Sequence, residues 1–244
     1  MNHPDPVELS LVVPFFNEER LLADTLDEIW RFLSEQCGSF QLILADDGST
    51  DRSGEIATGF AATHACCTVV STVTNRGKGL ALTMGLEAAT LPVAGYTDAE
   101  LEIPLRFLAA ALKRLHDCPD LDVCIGSKMI SPQPPIREIH RRAGSLVYNG
   151  LVRWLLHSPV RDHQCGLKLF RRRVKDAVLP QMRETGWAWD TEFLLIVRQQ
   201  GFSIEEIPVE LYKRRPSTVP FFRVVMLLLL KIREFRKRGL VLPR

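Results

Sequence analysis

Two acidic motifs each follow a short apolar run, and carboxylates at their spacing could bind a metal ion or a polar ligand. Asp98-Ala99-Glu100 follows the run 92–97. In an extended backbone, residues i and i+2 point to the same side. Asp98 and Glu100 could therefore ligate one hard divalent ion, with phosphate oxygens and water completing its shell. The competing interpretation is an acidic turn exposed to solvent.

The other acidic motif, Asp-Asp-Gly-Ser-Thr-Asp at 46–51, follows the apolar run 40–45. The carboxylates of Asp46 and Asp47 could accept hydrogen bonds from a base or a ribose, or support a metal ion. The alternative is a turn at Gly48 followed by a helix cap from Thr50 or Asp51.

Basic residues suited to phosphate lie in two segments. Asn-Arg-Gly-Lys-Gly at 75–79 precedes a predicted helix; its glycines allow close backbone approach to an anion, and Lys78 adds charge. The segment lacks the GxxxxGK[ST] spacing of a Walker motif, and an ordinary loop that begins a helix is the alternative. The second segment, 137–142, includes Arg141 and precedes a helix that contains Ser145. Arginine binds phosphate bidentately, and the alternative is a solvated helix face.

Two further polar segments lie in the second half of the chain. Asp162-His163-Gln164 precedes a Cys-Gly pair, where a single His or Cys is more often structural than catalytic. Asp190 begins a predicted helix and could be only its N-cap.

The elements that position these residues alternate between strand and helix. Apolar runs predict strands at 9–14, 40–45, 67–73, 92–97 and 123–127, and helical spacing predicts helices at 17–33, from 53, at 78–89 and at 104–116. This alternation is typical of an α/β fold with a mostly parallel, doubly wound sheet, where ligands bind beyond the carboxyl ends of the strands. Helices are also predicted at 141–156 and 190–200, with extended segments at 162–170 and 204–212.

Composition excludes several classes of protein. The 244 residues are 46% hydrophobic and 25% charged, unlike a disordered or collagenous chain. The six cysteines form no CxxC pair, which argues against a structural zinc site and suits a reducing compartment. We expect a cytoplasmic or peripheral protein, since no signal peptide or spanning run is visible. Nucleic-acid binding is disfavoured because the net-acidic first half supplies no continuous basic stripe.

Taken together and in order, the segments resemble glycosyltransferase family 2, and within it the dolichyl/polyprenyl-phosphate sugar synthase branch. The resemblance spans residues 9 to about 220 and rests on LSLVVPFFNEE, ILADDGSTD, NRGKGLALTMGLEAA, GYTDAEL, GSK, RRAGSLVYNGL, DHQCGLKLFRR and GWAWDTEFL. It implies a GT-A fold over 1–218, with a nucleotide-sugar-binding half at 9–127 and an acceptor half at 128–218. It also implies a metal cofactor, Mg²⁺ or Mn²⁺.

The resemblance assigns roles residue by residue. Donor contacts would come from Pro14, Asn17, Glu18, Asp46, Asp47, Gly48, Lys78 and Asp98. The metal ligands would be Asp98 and Glu100 of a DxD-like motif, with Glu102 nearby. Residues near the acceptor phosphate and the sugar would be Lys128, Arg141, Ser145, Asp162 and Gln164. Glu100 departs from the second Asp of DxD, Lys128 stands where relatives often have Arg, and residues 214–218 lack the glycine of the family's acceptor loop.

The implied reaction moves a hexose from UDP-glucose or GDP-mannose to a polyprenyl monophosphate, with inversion. The acceptor oxygen is already anionic at pH 7, so no strong general base is needed; Arg215 is a further candidate for holding that phosphate. Two alternatives stay open, namely a saccharide acceptor and a nucleotide-sugar-binding regulatory protein without turnover. A sugar nucleotidyltransferase is less suited, because 14–18 is not a Gly-rich loop.

The C-terminal segment 219–244 is predicted to be a basic amphipathic helix. Its apolar stretch 224–230 and the basic residues that follow could lie in a membrane interface on the cytoplasmic face, alone or with a membrane-anchoring subunit. The alternative is a core helix with a solvated basic end.

Overall fold

The computed structural model describes residues 7–132, 139–212 and 221–243, with the side chains of 139–142 and 221–225 excepted. Seven strands form one sheet in the order β3-β2-β1-β4-β6-β5-β7. They are β1 (Glu8–Phe15), β2 (Ser39–Asp46), β3 (Cys67–Ser71), β4 (Val93–Thr97), β5 (Val123–Ser127), β6 (Leu167–Arg171) and β7 (Ile204–Pro208).

The helices are α1 (Leu22–Gln36), α2 (Ser53–Thr63), α3 (Lys78–Glu87), α4 (Leu105–Asp117), α5 (Ile139–Leu156), α6 (Arg172–Val178), α7 (Trp189–Gln199) and α8 (Phe221–Lys237). A 3₁₀ turn at Leu179–Gln181 follows α6. The predicted alternation over 9–127 is confirmed. The first helix begins at Leu22 rather than at residue 17, because Asn17 has a φ of 55° and cannot start an α-helix.

One strand of the sheet, β6, runs opposite to the others. Strands β1, β2, β3 and β4 are parallel neighbours, whereas β6 runs antiparallel to both β4 and β5. The predicted extended segments in the second half are shorter than expected: β6 begins at Leu167 and β7 ends at Pro208. Residues 162–166 form a loop instead, which places Gln164 and Gly166 beside Asp98.

Alternate residues of the strands pack on opposite faces, as the pleat requires. Leu11 and Val13 of β1 belong to a core cluster with α1, α2 and α4, while Val12 belongs to a cluster with α3 and α5 to α8. Burial on both faces explains the nearly continuous apolar sequence of the central strands.

Helix α8 closes one side of the second cluster. Leu228, Ile232 and Phe235 are buried there, and Lys231 lies 2.7 Å from the carboxylate of Glu184. The inner face of the predicted C-terminal helix is therefore part of the protein core. In the described part of the chain, no helix is both long and apolar enough to cross a membrane.

Candidate active site

The carboxyl ends of β1 and β2 are tied together by hydrogen bonds between their loops. Asn17, which follows β1, accepts the Thr50 N–H with its side-chain oxygen at 2.8 Å. The Glu18 N–H donates to the Ser53 hydroxyl oxygen at 2.7 Å. Pro14, within β1, is the register partner of Ala45 in β2. The predicted donor residues of these two strands thus form one rigid edge.

Asp46 and Asp47 hold different parts of this edge. The Asp46 carboxylate accepts both the N–H and the hydroxyl of Ser49, at 2.9 and 2.6 Å. The Asp47 carboxylate accepts the N–H groups of Arg76 and Gly77 at 2.9 Å each. Burial raises the pKa of Asp47, and these two N–H groups oppose the rise. Asp47 therefore anchors the loop that leads to Lys78.

Gly48 allows this close approach of two loops. Its φ is 72°, and a Cβ there would lie 2.5 Å from the Thr74 carbonyl carbon. A side chain would be strained by the backbone conformation and by contact with main-chain atoms.

Lys78 and Asp98 form an ion pair at the centre of the edge. The Lys78 Nζ lies 2.5 Å from Asp98 Oδ1, and the Asp98 side chain keeps 36% of its surface exposed. Burial alone would lower the pKa of Lys78, but the nearby carboxylates of Asp98 and Asp190 raise it above its ordinary value. The ammonium is therefore charged at physiological pH. Lys78 lies beside one predicted metal ligand, and the loop that contains it is held by Asp47.

A second buried pair lies next to the first. Lys168 of β6 is fully buried, and its Nζ donates to Asp190 at 2.6 Å and to the Cys165 carbonyl at 2.7 Å. The Tyr96 hydroxyl also donates to Asp190. Although burial raises the pKa of Asp190, the charges of Lys168 and Lys78 lower it below its ordinary value, so Asp190 is ionised.

The alternative that Asp190 is only an N-cap is wrong. Helix α7 begins at Trp189 after Ala188, and no side chain caps it. Sequence reasoning missed Lys168 and Tyr96. A charged Lys within the otherwise apolar strand sequence 167–170 was the signal that could have indicated a buried partner.

Lys128 and Asp162, which the sequence predicts to lie near the acceptor phosphate, form a further ion pair. Both side chains are buried, and their charged atoms lie 3.1 Å apart. The Lys128 N–H also donates to Asp162 at 2.8 Å, and the Lys128 Nζ donates to the Gln164 carbonyl at 3.2 Å. The Gln164 side-chain amide donates to the Thr191 hydroxyl oxygen at 2.9 Å. The loop 162–164 is therefore fixed to β5 and to α7.

His163 lies on the opposite side of this loop and is structural. Its ring is within hydrogen-bond distance of Ser158 Oγ at 2.8 Å and of Asn149 Oδ1 at 2.9 Å. Burial lowers the pKa of His163 to about 3, so the ring is neutral. Since Asn149 also accepts the His163 N–H at 3.0 Å, α5 holds the backbone between Asp162 and Gln164.

Ser145 lies on α5, one turn before Asn149, and its carbonyl accepts the Asn149 amide at 3.0 Å. The side chain of Arg141 and the whole of Arg215 lie outside the described residues, so their predicted contacts with phosphate stay predictions.

A pocket lies between the Lys78–Asp98 pair and the Lys128–Asp162 pair. It is lined by Thr97, Asp98, Glu102, Lys128, Gln164 and Gly166, among others. A Cβ on Gly166 would collide with the Asp98 carboxylate, so a larger residue there would displace that carboxylate from its present position. The pocket therefore has carboxylates on one side, at Asp98 and Glu102, and the Lys128 ammonium on the other, which suits a metal ion together with a phosphate group.

The carboxylates present fit a hard divalent ion in their chemistry, since Asp98 is partly exposed to the pocket and Glu102 lines it. Glu100 follows in the same loop. Among the described residues, however, no three His, Cys, Asp or Glu side chains converge as a preformed metal site.

Residues 10–179 match the family described as Glycosyl transferase family 2. The chain belongs to glycosyltransferase family 2. This family-2 protein is 32% identical over 224 residues to glycosyltransferase AglD of Haloferax volcanii, aligned over 90% of this chain and 35% of AglD. It is 29% identical to human dolichyl-phosphate beta-glucosyltransferase, over 88% of this chain and 71% of the human protein.

A further relative, dolichyl-phosphate beta-glucosyltransferase ALG5A of Trichomonas vaginalis, is 27% identical over 85% of this chain. The family-2 protein spans 66% of ALG5A and about a third of AglD. Its predicted family is confirmed, and relatives named for dolichyl phosphate agree with the predicted branch.

Among solved structures, the family-2 protein is similar to glucosyl-3-phosphoglycerate synthase from Mycobacterium tuberculosis in complex with Mn²⁺, UDP and phosphoglyceric acid. The TM-score is 0.70 at 19% identity, over 93% of this chain and 78% of that one. At this identity the likeness concerns the fold, and it confirms the predicted GT-A architecture.

Proposed function

We propose that this glycosyltransferase moves a hexose from UDP-glucose or GDP-mannose to a polyprenyl or dolichyl monophosphate, with inversion at the anomeric carbon. The observation that carries the proposal is the pocket between Asp98 and Lys128. The relatives named for transfer to dolichyl phosphate support the same acceptor.

The donor would lie along the edge formed by β1, β2 and β4. Pro14, Asn17, Glu18, Asp46, Asp47 and Gly48 would shape the nucleoside site. Because Asp47 pins the N–H groups of Arg76 and Gly77, the loop presents Lys78 toward Asp98. The Lys78 ammonium would then be positioned to stabilise a diphosphate as negative charge develops on it.

The acceptor would approach from the side of Lys128. Its phosphate oxygen is anionic at pH 7, so catalysis requires positioning rather than a strong base. The Lys128 ammonium, the Gln164 amide and Ser145 would orient that oxygen in line with the departing diphosphate, with Arg141 and Arg215 as further phosphate ligands. Asp162 would act by fixing Lys128, which it contacts through both the side chain and the N–H.

A Mg²⁺ or Mn²⁺ ion held by Asp98, with Glu100 and Glu102 nearby, would neutralise charge on the leaving diphosphate. The donor's own phosphate oxygens would complete its shell. We propose that the protein acts peripherally on the cytoplasmic face of a membrane, where a lipid acceptor is accessible; a membrane-anchoring subunit would be an additional partner.

A transfer assay tests the proposal. Purified protein is incubated with polyprenyl phosphate dispersed in detergent, Mg²⁺ or Mn²⁺, and radiolabelled UDP-glucose or GDP-mannose in separate reactions. Labelled lipid extractable into organic solvent is expected with one donor. Absence of lipid-linked product with every common nucleotide sugar would overturn the lipid-acceptor proposal, and label on a soluble saccharide would assign the alternative acceptor.

The matched variants are Asp98→Asn and Asp27→Asn. Asp98 faces the pocket, whereas Asp27 is exposed on α1 away from it. Loss of an electrostatic group at the reacting centre lowers turnover by about 10²-fold or more. We expect such a loss for Asp98→Asn and full activity for Asp27→Asn; equal activity in both would reject the role of Asp98.

A further inference from the structure

Helix α5 has an unusual outer face. From residue 143 on, its exposed positions fall at 143, 146, 147, 150, 153 and 154, which is one continuous helical stripe. Of these, Leu146, Val147 and Trp154 are large apolar residues exposed by 53%, 55% and 72%. An ordinary surface helix places polar side chains on this face. Helix α4 of the same protein does so, with Arg106, Lys113 and Asp117 exposed.

Helix α8 continues this apolar surface. It packs beside α5, and the inner faces of the two helices, through Val152 and Leu228, enter the same core cluster. Their outer faces therefore look out on the same side of the molecule. On α8, the first exposed positions among its described side chains are again apolar. We define the apolar patch as Leu146, Val147 and Trp154 of α5 together with Met226, Leu227 and Leu230 of α8.

Basic residues border the apolar patch. Arg153 is exposed next to Trp154, and Arg233, Arg236 and Lys237 are exposed on α8 after Leu230. The acidic residue in this part of α8, Glu234, forms an ion pair with Lys231 at 2.7 Å. The surface is thus apolar at its centre and cationic at its border.

We propose that the apolar patch, formed by α5 and α8 together, is a docking surface for an anionic lipid bilayer, with Trp154 as its interfacial anchor. Charge complementarity decides the occupant. Apolar side chains enter the acyl boundary while the bordering cations contact acidic headgroups. A second copy of the chain fits less well, because a two-fold contact would bury this face against itself, with its bordering cations opposite apolar or cationic side chains. Tryptophan is suited to this depth since its ring is apolar and its N–H is polar.

The arrangement gives the C-terminal helix a different role from an independent anchor. Because the inner face of α8 is fixed in the core, the protein would dock as a rigid body rather than through a flexible tail. Helix α5 also contains Asn149, which holds the loop between Asp162 and Gln164. Docking through α5 would thus set the acceptor side of the site at a defined height above the bilayer.

Vesicle binding tests the proposal. The intact protein is sedimented with vesicles of phosphatidylglycerol and phosphatidylcholine, or of phosphatidylcholine alone. Burying one large apolar side chain contributes about 1.5–3 kcal/mol, so Trp154→Gln should lower partitioning about tenfold or more. Each cation near an anionic surface contributes about 1 kcal/mol, so Arg233→Gln should lower partitioning about fivefold, on anionic vesicles only.

Matched controls use the same substitutions elsewhere. Val73→Gln removes an apolar side chain that is 99% exposed, and Arg31→Gln removes an exposed cation of α1. Both should bind vesicles as the wild type does. A second measurement uses brominated phosphatidylcholine, which should quench a fluorescence component present in the wild type and missing from Trp154→Phe.

Absence of binding to anionic vesicles would overturn the proposal, and so would an equal loss of binding in Val73→Gln and Trp154→Gln. A dimer that Trp154→Gln dissociates would also overturn it, because the apolar patch would then be the contact with a second copy. The biological purpose of the docking surface rests on the proposed lipid acceptor. The vesicle test does not depend on that acceptor, since the vesicles contain no polyprenyl phosphate. Vesicle binding without transfer to detergent-dispersed acceptor would therefore contradict the proposed function and support the docking surface. Transfer to that acceptor without vesicle binding would support the proposed function and contradict the docking surface.

Discussion

The buried ring of His163 predicts a specific dependence of stability on pH. Its pKa is about 3 in the folded protein and about 6.5 when unfolded, because the ring is buried between Ser158 and Asn149. Below pH 6.5 the His163 ring binds a proton in the unfolded chain but stays neutral in the folded protein. The contribution of His163 to stability is therefore complete above pH 6.5 and is lost as the pH falls from 6.5 toward 3.

The size of the effect follows from linkage. One pH unit below the unfolded pKa corresponds to about 1.4 kcal/mol, so His163 alone should lower the free energy of unfolding by about 1.4 kcal/mol between pH 7.5 and 5.5. Carboxylates, with unfolded pKa values near 4, contribute little in this range.

Urea denaturation at pH 7.5, 6.5 and 5.5 measures the effect. The His163→Gln variant should be less stable than the wild type at every pH. Its free energy of unfolding should, however, fall by about 1.4 kcal/mol less between pH 7.5 and 5.5. The control His116→Gln, which removes an exposed ring of α4, should keep the slope of the wild type. Parallel curves for His163→Gln and the wild type would refute the assignment of a neutral buried ring.

Two further predictions concern stability. Asp190→Asn leaves the fully buried Lys168 without a counter-charge, so it should lower the free energy of unfolding by about 3–5 kcal/mol in urea, and a loss below about 1 kcal/mol would contradict the buried pair. Gly48→Ala should destabilise by about 1–3 kcal/mol because its φ is 72° and Thr74 is in the way. Gly59→Ala, on the exposed face of α2 with open space around it, should instead stabilise by about 0.5–1 kcal/mol, and equal Tm shifts for the two would count against the reasoning.

The strand-end geometry could be predicted from the sequence because it depends on local patterns and parallel order. Asp46 and Asp98 each follow an apolar run, and parallel strands end at the same edge. The same reasoning placed Lys78 at the start of a helix. Its contact with Asp98, in contrast, depends on the path of a loop that Asp47 fixes through backbone N–H groups.

Long-range pairs could not be predicted in this way. Lys168 meets Asp190 because β6 returns antiparallel beside β4 and α7 packs over it. Neither residue lies in a local sequence pattern that indicates the other as its partner. The start of α1 was also misplaced, because helical spacing continues back to Asn17 while the positive φ of that residue does not allow a helix.

The C-terminal helix shows a third limit. Its basic amphipathic sequence fits both a membrane surface and a core helix, and the structure gives it an apolar inner face around Phe235 and an apolar outer face around Leu230. A two-sided helix of this kind is ambiguous in sequence, because periodicity does not say which apolar face meets which partner.

The two neighbouring ion pairs, Lys78–Asp98 and Lys168–Asp190, limit which substitutions the protein can accept during evolution. Asp98, Lys78, Asp190 and Lys168 together carry no net charge, and Lys168 is fully buried. Replacing either Lys168 or Asp190 alone leaves the other charge uncompensated away from water. Descendants should therefore exchange Lys168 and Asp190 as a couple, so that the two positions vary jointly while neighbouring positions drift one at a time.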